Sequence, residues 1–125
     1  FFIKRKKKIH KQYVKELDSI DGIKIFKPNS NILSNYWFNI ITFKNLSNSS
    51  LEKLKSICNK NKIEIRQVWR PAHTHKYLTK YETFKISNSF KLYKNSFCLP
   101  SSLKLDEKNI NFINQKIKKF CKNYL

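Results

Sequence analysis

The sequence predicts a small α/β (α+β) domain in which helices flank a three-stranded sheet. Apolar residues recur at helical spacing near both ends of the chain, and short alternating apolar stretches lie between them. A length of 125 residues allows one domain with a modest core. Because helices and strands are mixed along one short chain, we expect a layered fold, with the first and last helices on one face of the sheet.

The first part of the chain is predicted to form a helix followed by two strands. Four apolar residues spaced three or four apart indicate the helix: Ile9, Tyr13, Leu17 and Ile20. Gly22, the only glycine, is predicted to cap the end of this helix. Alternation over 23–25 predicts a strand, and 27–31 is typical of a turn. The aromatic and β-branched stretch 36–43 predicts the strongest strand.

A second helix and a third strand are predicted in the middle of the chain. Residues 45–50 are predicted to form a polar loop, and Ser-Ser-Leu-Glu at 49–52 fits a capping box at a helix start. This helix should end at 59–61. Its buried side is predicted to consist of Leu51, Leu54 and Cys58. The third strand is predicted from Ile63, Ile65 and Val68.

The last part of the chain is predicted to hold one or two short helices, an extended segment and a long terminal helix. The short helices are expected within 80–94, with three phenylalanines facing inward: Phe84, Phe90 and Phe97. Residues 99–102 are predicted to be extended, and Asp106 is a good N-terminal cap. The terminal helix is predicted from four apolar residues at helical spacing: Ile110, Ile113, Ile117 and Phe120.

The formal net charge of +19 admits nucleic acid or an anionic membrane surface as a partner. The basic residues are nearly all Lys, however, and Arg occurs only at positions 5, 66 and 70. Because Lys, Asn and Ile are plentiful while Gly and Ala are scarce, an AT-rich coding sequence that fills solvated faces with Lys explains the charge better. A protein that grips phosphates would more often use the bidentate fork of Arg.

Composition also argues against a membrane span, a disulfide framework and a zinc site. The longest apolar run, near 36–43, is far shorter than the roughly 20 residues needed to cross a bilayer. The three cysteines, Cys58, Cys98 and Cys121, are widely spaced and form no Cys-x-x-Cys pair. Reduced, partly buried thiols in a cytoplasmic protein are therefore expected.

The residue types best suited to a ligand site are concentrated at 66–73, where a strand is predicted to end. Arg66, Trp69 and His73 lie there, together with a second arginine and a proline. Taken singly, each of these residues is usually structural. Their combination predicts a binding wall, because sites are usually built at the ends of strands and in the loops that follow.

Four parts of the chain match the motifs of one protein family, in order and over nearly the whole length. Asn-Tyr-Trp-Phe-Asn-Ile-Ile at 35–41 is similar to an N-Y-W-L-N-x-I strand, and Arg-Gln-Val-Trp-Arg-Pro-Ala-His at 66–73 to an R-P-x-W-x-P-x-H segment. Phe-Cys-Leu-Pro-Ser-Ser at 97–102 is similar to an L-x-L-P-S-S strand. A leading helix is matched at Lys4, Arg5, Ile9 and Tyr13. The chain thus resembles the C-terminal small domain of the DegT family of pyridoxal-phosphate-dependent sugar aminotransferases, which have fold type I.

The resemblance implies that residues 1–125 are a fragment of a longer enzyme. In that family a large domain binds pyridoxal 5'-phosphate through a Schiff-base lysine, beside an Asp that pairs with the pyridinium nitrogen. No Lys of this chain lies in a matching motif, so we assign no catalytic, cofactor-binding or metal-binding residue. The absence of Met, even at position 1, agrees with a fragment, which alone should be inactive.

The resemblance also implies a reaction and a set of substrate contacts. The family subgroup that fits the aromatic motif transfers an amino group from glutamate to a nucleotide-linked 4-keto sugar, for surface polysaccharide or amino-sugar biosynthesis. The full-length enzyme is expected to be a cytoplasmic homodimer with neither a nucleic-acid nor a membrane partner. Substrate-binding roles are implied for four residues: Arg66, Trp69, His73 and Tyr36.

Three other interpretations of the sequence stay open. A basic module that binds nucleic acid would show an affinity that falls steeply with salt. A peripheral membrane module built on residues 1–15 would co-sediment with liposomes. An inactive remnant of a split or decayed gene would share the family fold and differ only in activity.

Overall fold

The computed structural model describes residues 1–44 and 46–125, which form helices and strands in mixed order. In chain order these are α1 (Phe2–Leu17), β1 (Ile23–Ile25), β2 (Asn39–Phe43), α2 (Asn48–Lys60), β3 (Arg66–Gln67), α3 (Ser87–Asn95), β4 (Ser96–Leu99) and α4 (Glu107–Tyr124). One turn of 3-10 helix, Ala72–Thr74, lies between β3 and α3. Within the described ranges, no helix has both the length and the apolar content that a membrane crossing requires.

The strands form one antiparallel sheet in the order β1-β2-β4-β3. Ile41 of β2 lies opposite Ile25 of β1 on one side and opposite Phe97 of β4 on the other. β3 pairs with β4 through Arg66 opposite Cys98. The α/β fold class is confirmed. The sheet has four strands rather than the three predicted, because β4, which overlaps the strand motif matched at 97–102, inserts between β2 and β3.

One face of the sheet is covered by helices. Directly opposite residues of an antiparallel pair project to the same side, so six buried apolar side chains share this face: Ile23, Ile25, Ile41, Phe43, Phe97 and Leu99. The apolar residues that α1 and α4 bury in the same core are Ile9, Tyr13, Leu17, Ile110, Ile113, Ile117, Phe120 and Cys121. The predicted placement of the first and last helices on one face is therefore confirmed.

The opposite face of the sheet is much less covered, and we call it the open face. Lys24, Ile40, Cys98 and Arg66 lie on it because they alternate along their strands with the buried residues. Lys24 and Arg66 are exposed, while Ile40 and Cys98 are half-buried. Phe26, whose N–H donates to the carbonyl of Ile40 at 2.9 Å, extends this face and is 60 % exposed.

Three phenylalanine rings join the sheet to the last helix. Phe43 of β2 meets Phe97 of β4 edge to face at 6.5 Å between ring centroids, and meets Phe120 of α4 in the same manner at 5.9 Å. All three side chains are about 1 % exposed. Fully burying one such ring stabilises the folded state by about 1.5–3 kcal/mol, and edge-to-face pairs add to this. Phe43 is thus a central packing residue between sheet and helix.

The prediction that Gly22 caps the first helix is wrong, since α1 ends at Leu17. Asp18 follows, and its carboxylate accepts the backbone N–H of Ile25 at 2.9 Å. Gly22 lies in the next turn with φ of +79°, a left-handed conformation that an L side chain rarely adopts. The glycine therefore serves the turn into β1 rather than the helix end.

β2 begins three residues later than predicted. Tyr36 has φ of +51°, which lies in the left-handed region and interrupts an extended chain. The side-chain oxygens of Ser34 and Asn35 each accept the N–H two residues further on, at 3.0 and 3.1 Å, and stabilise this turn. Regular pairing therefore starts only at Asn39.

The start of the second helix also differs from the prediction. Ser47 is the N-terminal cap, and its hydroxyl oxygen accepts the N–H of Ser50 at 3.1 Å. The capping box predicted at 49–52 is therefore wrong. Of the loop predicted at 45–50, the first residue lies outside the described part of the chain and the last three form the first turn of α2. The predicted end of the helix at 59–61 is confirmed.

The third strand is shorter than predicted, and one short helix follows it. β3 covers Arg66–Gln67 alone, while the N–H of Ile63 bonds back to the end of α2 at 2.9 Å. Phe84 and Phe90 are 79 % and 38 % exposed, so their predicted inward orientation is wrong. Phe97 is buried as predicted, but in a strand.

The terminal helix agrees with its prediction. Asp106 is the N-terminal cap of α4, and its carboxylate accepts the N–H of Asn109 at 2.7 Å. The side chain of Asn109 accepts the N–H of Asp106 in return, at 3.3 Å, which completes a capping box.

Phe43→Ala is expected to lower the free energy of unfolding by about 3–5 kcal/mol, because it leaves a cavity between two other rings. Urea unfolding followed by circular dichroism measures this loss. Phe112→Ala is the matched control, because it removes the same ring from a residue of α4 that is 42 % exposed. An equal loss for the two variants would show that the ring cluster is not central to the core.

Candidate functional site

α1 holds the segment between β4 and α4 in place through its side-chain donors. The hydroxyl of Tyr13 donates to the carbonyl of Pro100 at 2.9 Å. The ammonium of Lys6 donates to the carbonyl of Ser101 and lies 3.2 Å from its hydroxyl oxygen. The guanidinium of Arg5 donates to the carbonyls of Leu103, at 3.5 Å, and Leu105. These bonds satisfy carbonyls that no strand or helix partner uses, and they fix the course of residues 100–105.

The same segment fixes the aromatic residues that precede β2. The hydroxyl of Ser101 donates to the carbonyl of Trp37 at 2.6 Å. Trp37 stacks on Phe38 with 5.1 Å between ring centroids and an interplanar angle of 12°. Phe38 in turn meets Trp69 edge to face at 4.8 Å. We call Trp37, Phe38 and Trp69 the aromatic cluster. All three side chains keep more than a third of their surface exposed.

A shallow groove of about 190 Å³ lies beside the aromatic cluster. It is lined by Phe38, Glu64, Arg66, Cys98, Leu99, Pro100 and Ser101. Phe38 is thus shared between the groove and the aromatic cluster, and it links Arg66 on one side to Trp69 on the other. The structure therefore brings two of the predicted site residues, Arg66 and Trp69, to one end of the open face.

Arg66 is exposed but already engaged within the chain. Its Nε and Nη2 atoms both donate to Oε1 of Glu64, at 2.8 and 2.6 Å. The two side chains are 79 % and 71 % exposed. An ion pair this exposed contributes little to stability, so Arg66 can exchange its partner for another anion at small cost.

Tyr36 lies in a different place from Arg66. Its ring packs on His10 of α1 at 5.0 Å between centroids, and it lines a cavity of about 330 Å³ between α1 and residues 28–36. Lys7 and Ser34 also line this cavity. Tyr36, the fourth of the predicted site residues, therefore does not line the groove beside Arg66, although Trp37 and Phe38 follow it directly in the chain.

His73 lies in the 3-10 turn and is half-buried. Arg70 holds this turn, because its Nε donates to the hydroxyl of Thr74 at 2.8 Å and its Nη2 to the carbonyl of the same residue at 2.6 Å. Arg70, the second arginine of the motif, therefore stabilises this loop. This turn carries His73, which is not among the residues that line the groove of Arg66.

Sequence analysis did not single out His10, which is 6 % exposed and hydrogen-bonded in the core. Its Nδ1 lies 3.0 Å from Oδ1 of Asn39, and because a carbonyl oxygen accepts, Nδ1 carries the proton. Burial lowers the pKa of His10, and the hydrogen bond to Asn39 opposes this only in part. His10 lies three residues before Tyr13 in the sequence, and this helical spacing was the signal that it borders the buried stripe of α1.

Within residues 1–44 and 46–125, no lysine has the surroundings of one that anchors pyridoxal phosphate. A lysine that anchors this cofactor lies in an enclosed site next to an acidic partner. Every lysine in the described ranges is exposed or half-buried, and those with a close carboxylate pair with it at the surface. Residues 1–44 and 46–125 also contain no group of side chains that could hold a metal ion.

The cysteines are unpaired, as expected. Cys58 and Cys121 are buried, and burial raises the pKa of each thiol to about 11. Cys98 lies half-buried on the open face, and burial raises its pKa as well. Thiols with raised pKa values are poor nucleophiles at neutral pH, so these residues serve packing rather than chemistry.

The fold and the groove define a small α/β domain that is closed by helices on one face and presents an arginine and exposed aromatic residues on the other. The chain belongs to the DegT/DnrJ/EryC1/StrS aminotransferase family, whose model matches residues 1–118. No curated protein matches the chain in sequence.

Solved structures of larger proteins share the fold. The aminotransferase TlmJ from Streptoalloteichus hindustanus has a TM-score of 0.84 and 15 % identity, over 98 % of this chain and 32 % of its own. The sugar aminotransferase CalS13 from Micromonospora echinospora has a TM-score of 0.80 and 16 % identity, over 94 % of this chain and 30 % of its own. PseC from Helicobacter pylori, an aminotransferase involved in pseudoaminic acid biosynthesis, has a TM-score of 0.81 and 13 % identity, over 98 % and 33 %. The chain thus spans about a third of each.

The domain is expected to lose stability in acid partly through His10. Because burial lowers the folded-state pKa below the ordinary value of about 6.5, the unfolded chain binds a proton that the folded chain does not. The stability that His10 contributes is complete above pH 6.5 and is lost as the pH falls through that value toward the folded pKa. Thermal unfolding midpoints at pH 5 and pH 7.5 measure the effect.

His10→Gln should reduce this drop in midpoint, since Gln can still donate to Asn39 but does not titrate. His73→Gln is the matched control, because the 3-10 turn lies outside the core. If the two variants keep the same pH dependence as the original chain, His10 is not the titrating group.

Proposed function

We propose that this chain is the C-terminal small domain of a pyridoxal-phosphate-dependent enzyme that transfers an amino group from glutamate to a nucleotide-linked 4-keto sugar. The family match and the motifs at 35–41, 66–73 and 97–102 support this reading. The structures that share the fold include a sugar aminotransferase and an aminotransferase involved in the biosynthesis of pseudoaminic acid. A role in surface polysaccharide or amino-sugar biosynthesis follows from that substrate class.

The observation that carries the proposal is the chemistry of the open face. Arg66 and the aromatic cluster meet there, at the groove on Phe38. Exposed aromatic rings beside a cation are typical of a surface that becomes buried against a ligand or another domain. In the proposal a large cofactor-binding domain covers this face, and the substrate lies in the cleft between the two domains.

Each predicted site residue has a role that its chemistry allows. Arg66 supplies a fixed positive charge for a diphosphate or carboxylate oxygen, and a charge-assisted hydrogen bond of this kind contributes about 1.5–3 kcal/mol. Trp69 stacks on the sugar or the base, or forms the wall of the cleft. His73 donates a hydrogen bond to a sugar hydroxyl, or to the diphosphate when it is protonated. Tyr36 contacts the substrate from the separate cavity beside α1.

The cofactor belongs, in this proposal, to the large domain outside these 125 residues. The chain alone then neither binds much pyridoxal phosphate nor catalyses transamination. The whole enzyme is proposed to be a cytoplasmic homodimer without a nucleic-acid or membrane partner.

The coding sequence upstream of this chain tests the proposal. An in-frame cofactor-binding domain would support it, and the joined protein should bind pyridoxal phosphate with a visible absorbance band. The 125-residue chain alone is the control and should show no such band. A whole gene product without such a domain, or one that leaves the cofactor unbound, would contradict the proposal.

In the whole protein, Arg66→Ala is expected to lower kcat/KM for the keto sugar at least about tenfold, because about 1.4 kcal/mol of binding is lost. Arg66→Lys should recover part of the loss, since it keeps the charge and removes the fork. Steady-state kinetics with varied sugar substrate measure both. Unchanged kinetics for Arg66→Ala would remove this residue from the site.

A further inference from the structure

We propose that Glu64 is a built-in competitor for the anion site of Arg66, so that it sets the affinity of the open-face groove for a substrate oxyanion. The inference rests on the proposed function, because it takes Arg66 as the residue that binds the anion. It adds a residue that belongs to none of the motifs matched above.

The geometry of the pair supports this role. Glu64 and Arg66 are two residues apart and project to the same side of an extended segment. Both the Nε and the Nη2 donors of Arg66 are used by the single atom Oε1 of Glu64. Nε and Nη2 form one of the two edges through which a guanidinium can hold a phosphate or carboxylate bidentately. An incoming oxyanion must therefore replace the carboxylate of Glu64 before it can bind Arg66 through this edge.

The surroundings allow Glu64 to leave without disturbing the fold. Ile63 is buried and anchors the backbone on one side, and Arg66 begins the paired strand on the other. The side chain of Glu64 itself is 71 % exposed and lies at the edge of the groove. Once displaced, it can be solvated on the outer side of the groove.

The competing group is weak enough to be displaced and strong enough to matter. Exposed ion pairs of this type are worth little in double-mutant measurements. If the ion pair with Glu64 must be broken before an anion binds, the affinity of Arg66 for that anion changes by about two- to fivefold. Glu64 therefore lowers the affinity of Arg66 for any oxyanion by this factor and keeps the guanidinium paired when no ligand is bound.

Arginine side-chain NMR tests the inference on the 125-residue chain. The chain has three arginines, so the Nε–Hε region of a ¹⁵N spectrum holds three signals, which Arg66→Lys assigns to Arg66 by subtraction. Pyrophosphate and L-glutamate, the charged parts of the two proposed substrates, are titrated separately at constant ionic strength. The Kd is read from the Arg66 signal alone, which separates this site from non-specific binding to lysines.

Glu64→Gln is expected to tighten binding at Arg66 by two- to fivefold. Glu16→Gln is the matched control, because Glu16 also pairs with a cation, Lys118 at 2.6 Å, and the substitution changes the net charge equally. Tightening with pyrophosphate alone would identify the diphosphate as the natural anion, and tightening with L-glutamate alone would identify the amino donor. Either result supports the inference.

Two results would overturn the inference, and they differ in what they say about the proposed role of Arg66. If both probes shift the Arg66 signal but Glu64→Gln binds no more tightly than the original chain or Glu16→Gln, Glu64 is not a competitor and the proposed role of Arg66 survives. If neither probe shifts the Arg66 signal in any variant, this chain has no anion site at Arg66 and the inference fails, while the role of Arg66 in the whole enzyme is decided by the kinetics of Arg66→Ala.

Discussion

The hydrogen bonds from α1 to the segment between β4 and α4 are the constraint on which the candidate site depends. Tyr13, Lys6 and Arg5 hold the carbonyls of residues 100–105. Ser101 of that segment then holds the backbone of Trp37. A helix that covers one face of the sheet thereby fixes the aromatic residues at the margin of the other face. The leading helix of the chain is part of the site, although none of its residues lines the groove of Arg66.

Sequence patterns located the helices better than the strands, for a physical reason. The spacing of apolar residues along a helix is a local signal, and the apolar stripes of α1 and α4 predicted both helices. A strand depends on partners that are distant in sequence, and β4 pairs with residues 39–42 and 66–67. The motif match at 97–102 indicated a strand, but no local pattern showed that this strand lies between two others. Turn chemistry explains the late start of β2, since the positive φ of Tyr36 interrupts a stretch whose composition is typical of a strand throughout.

The candidate site was predictable in part. The Arg66–Trp69 motif lies within one short segment, so its composition alone indicated a wall. The groups that give this wall its geometry come from elsewhere: Phe38 touches Trp69, and Ser101 lines the groove with Arg66. Glu64 is adjacent in sequence but reads as an ordinary exposed strand residue. Only the folded structure shows that the carboxylate of Glu64 accepts hydrogen bonds from the guanidinium of Arg66.

The hydrogen-bond partners of the three arginines bear on the two explanations of the large positive charge, which are a nucleic-acid partner and solvated faces filled with Lys. Arg5 donates to backbone carbonyls of residues 103 and 105, and Arg70 donates to Thr74, so these two forks are part of the fold. A nucleic-acid surface would present such forks to phosphates. Arg66 differs, because its partner is an exposed carboxylate that can be displaced. In the proposed function this guanidinium, beside aromatic rings, binds an outside anion. An arrangement in which only one of these three arginines is available to an outside anion fits a single bound substrate better than a long polyanion.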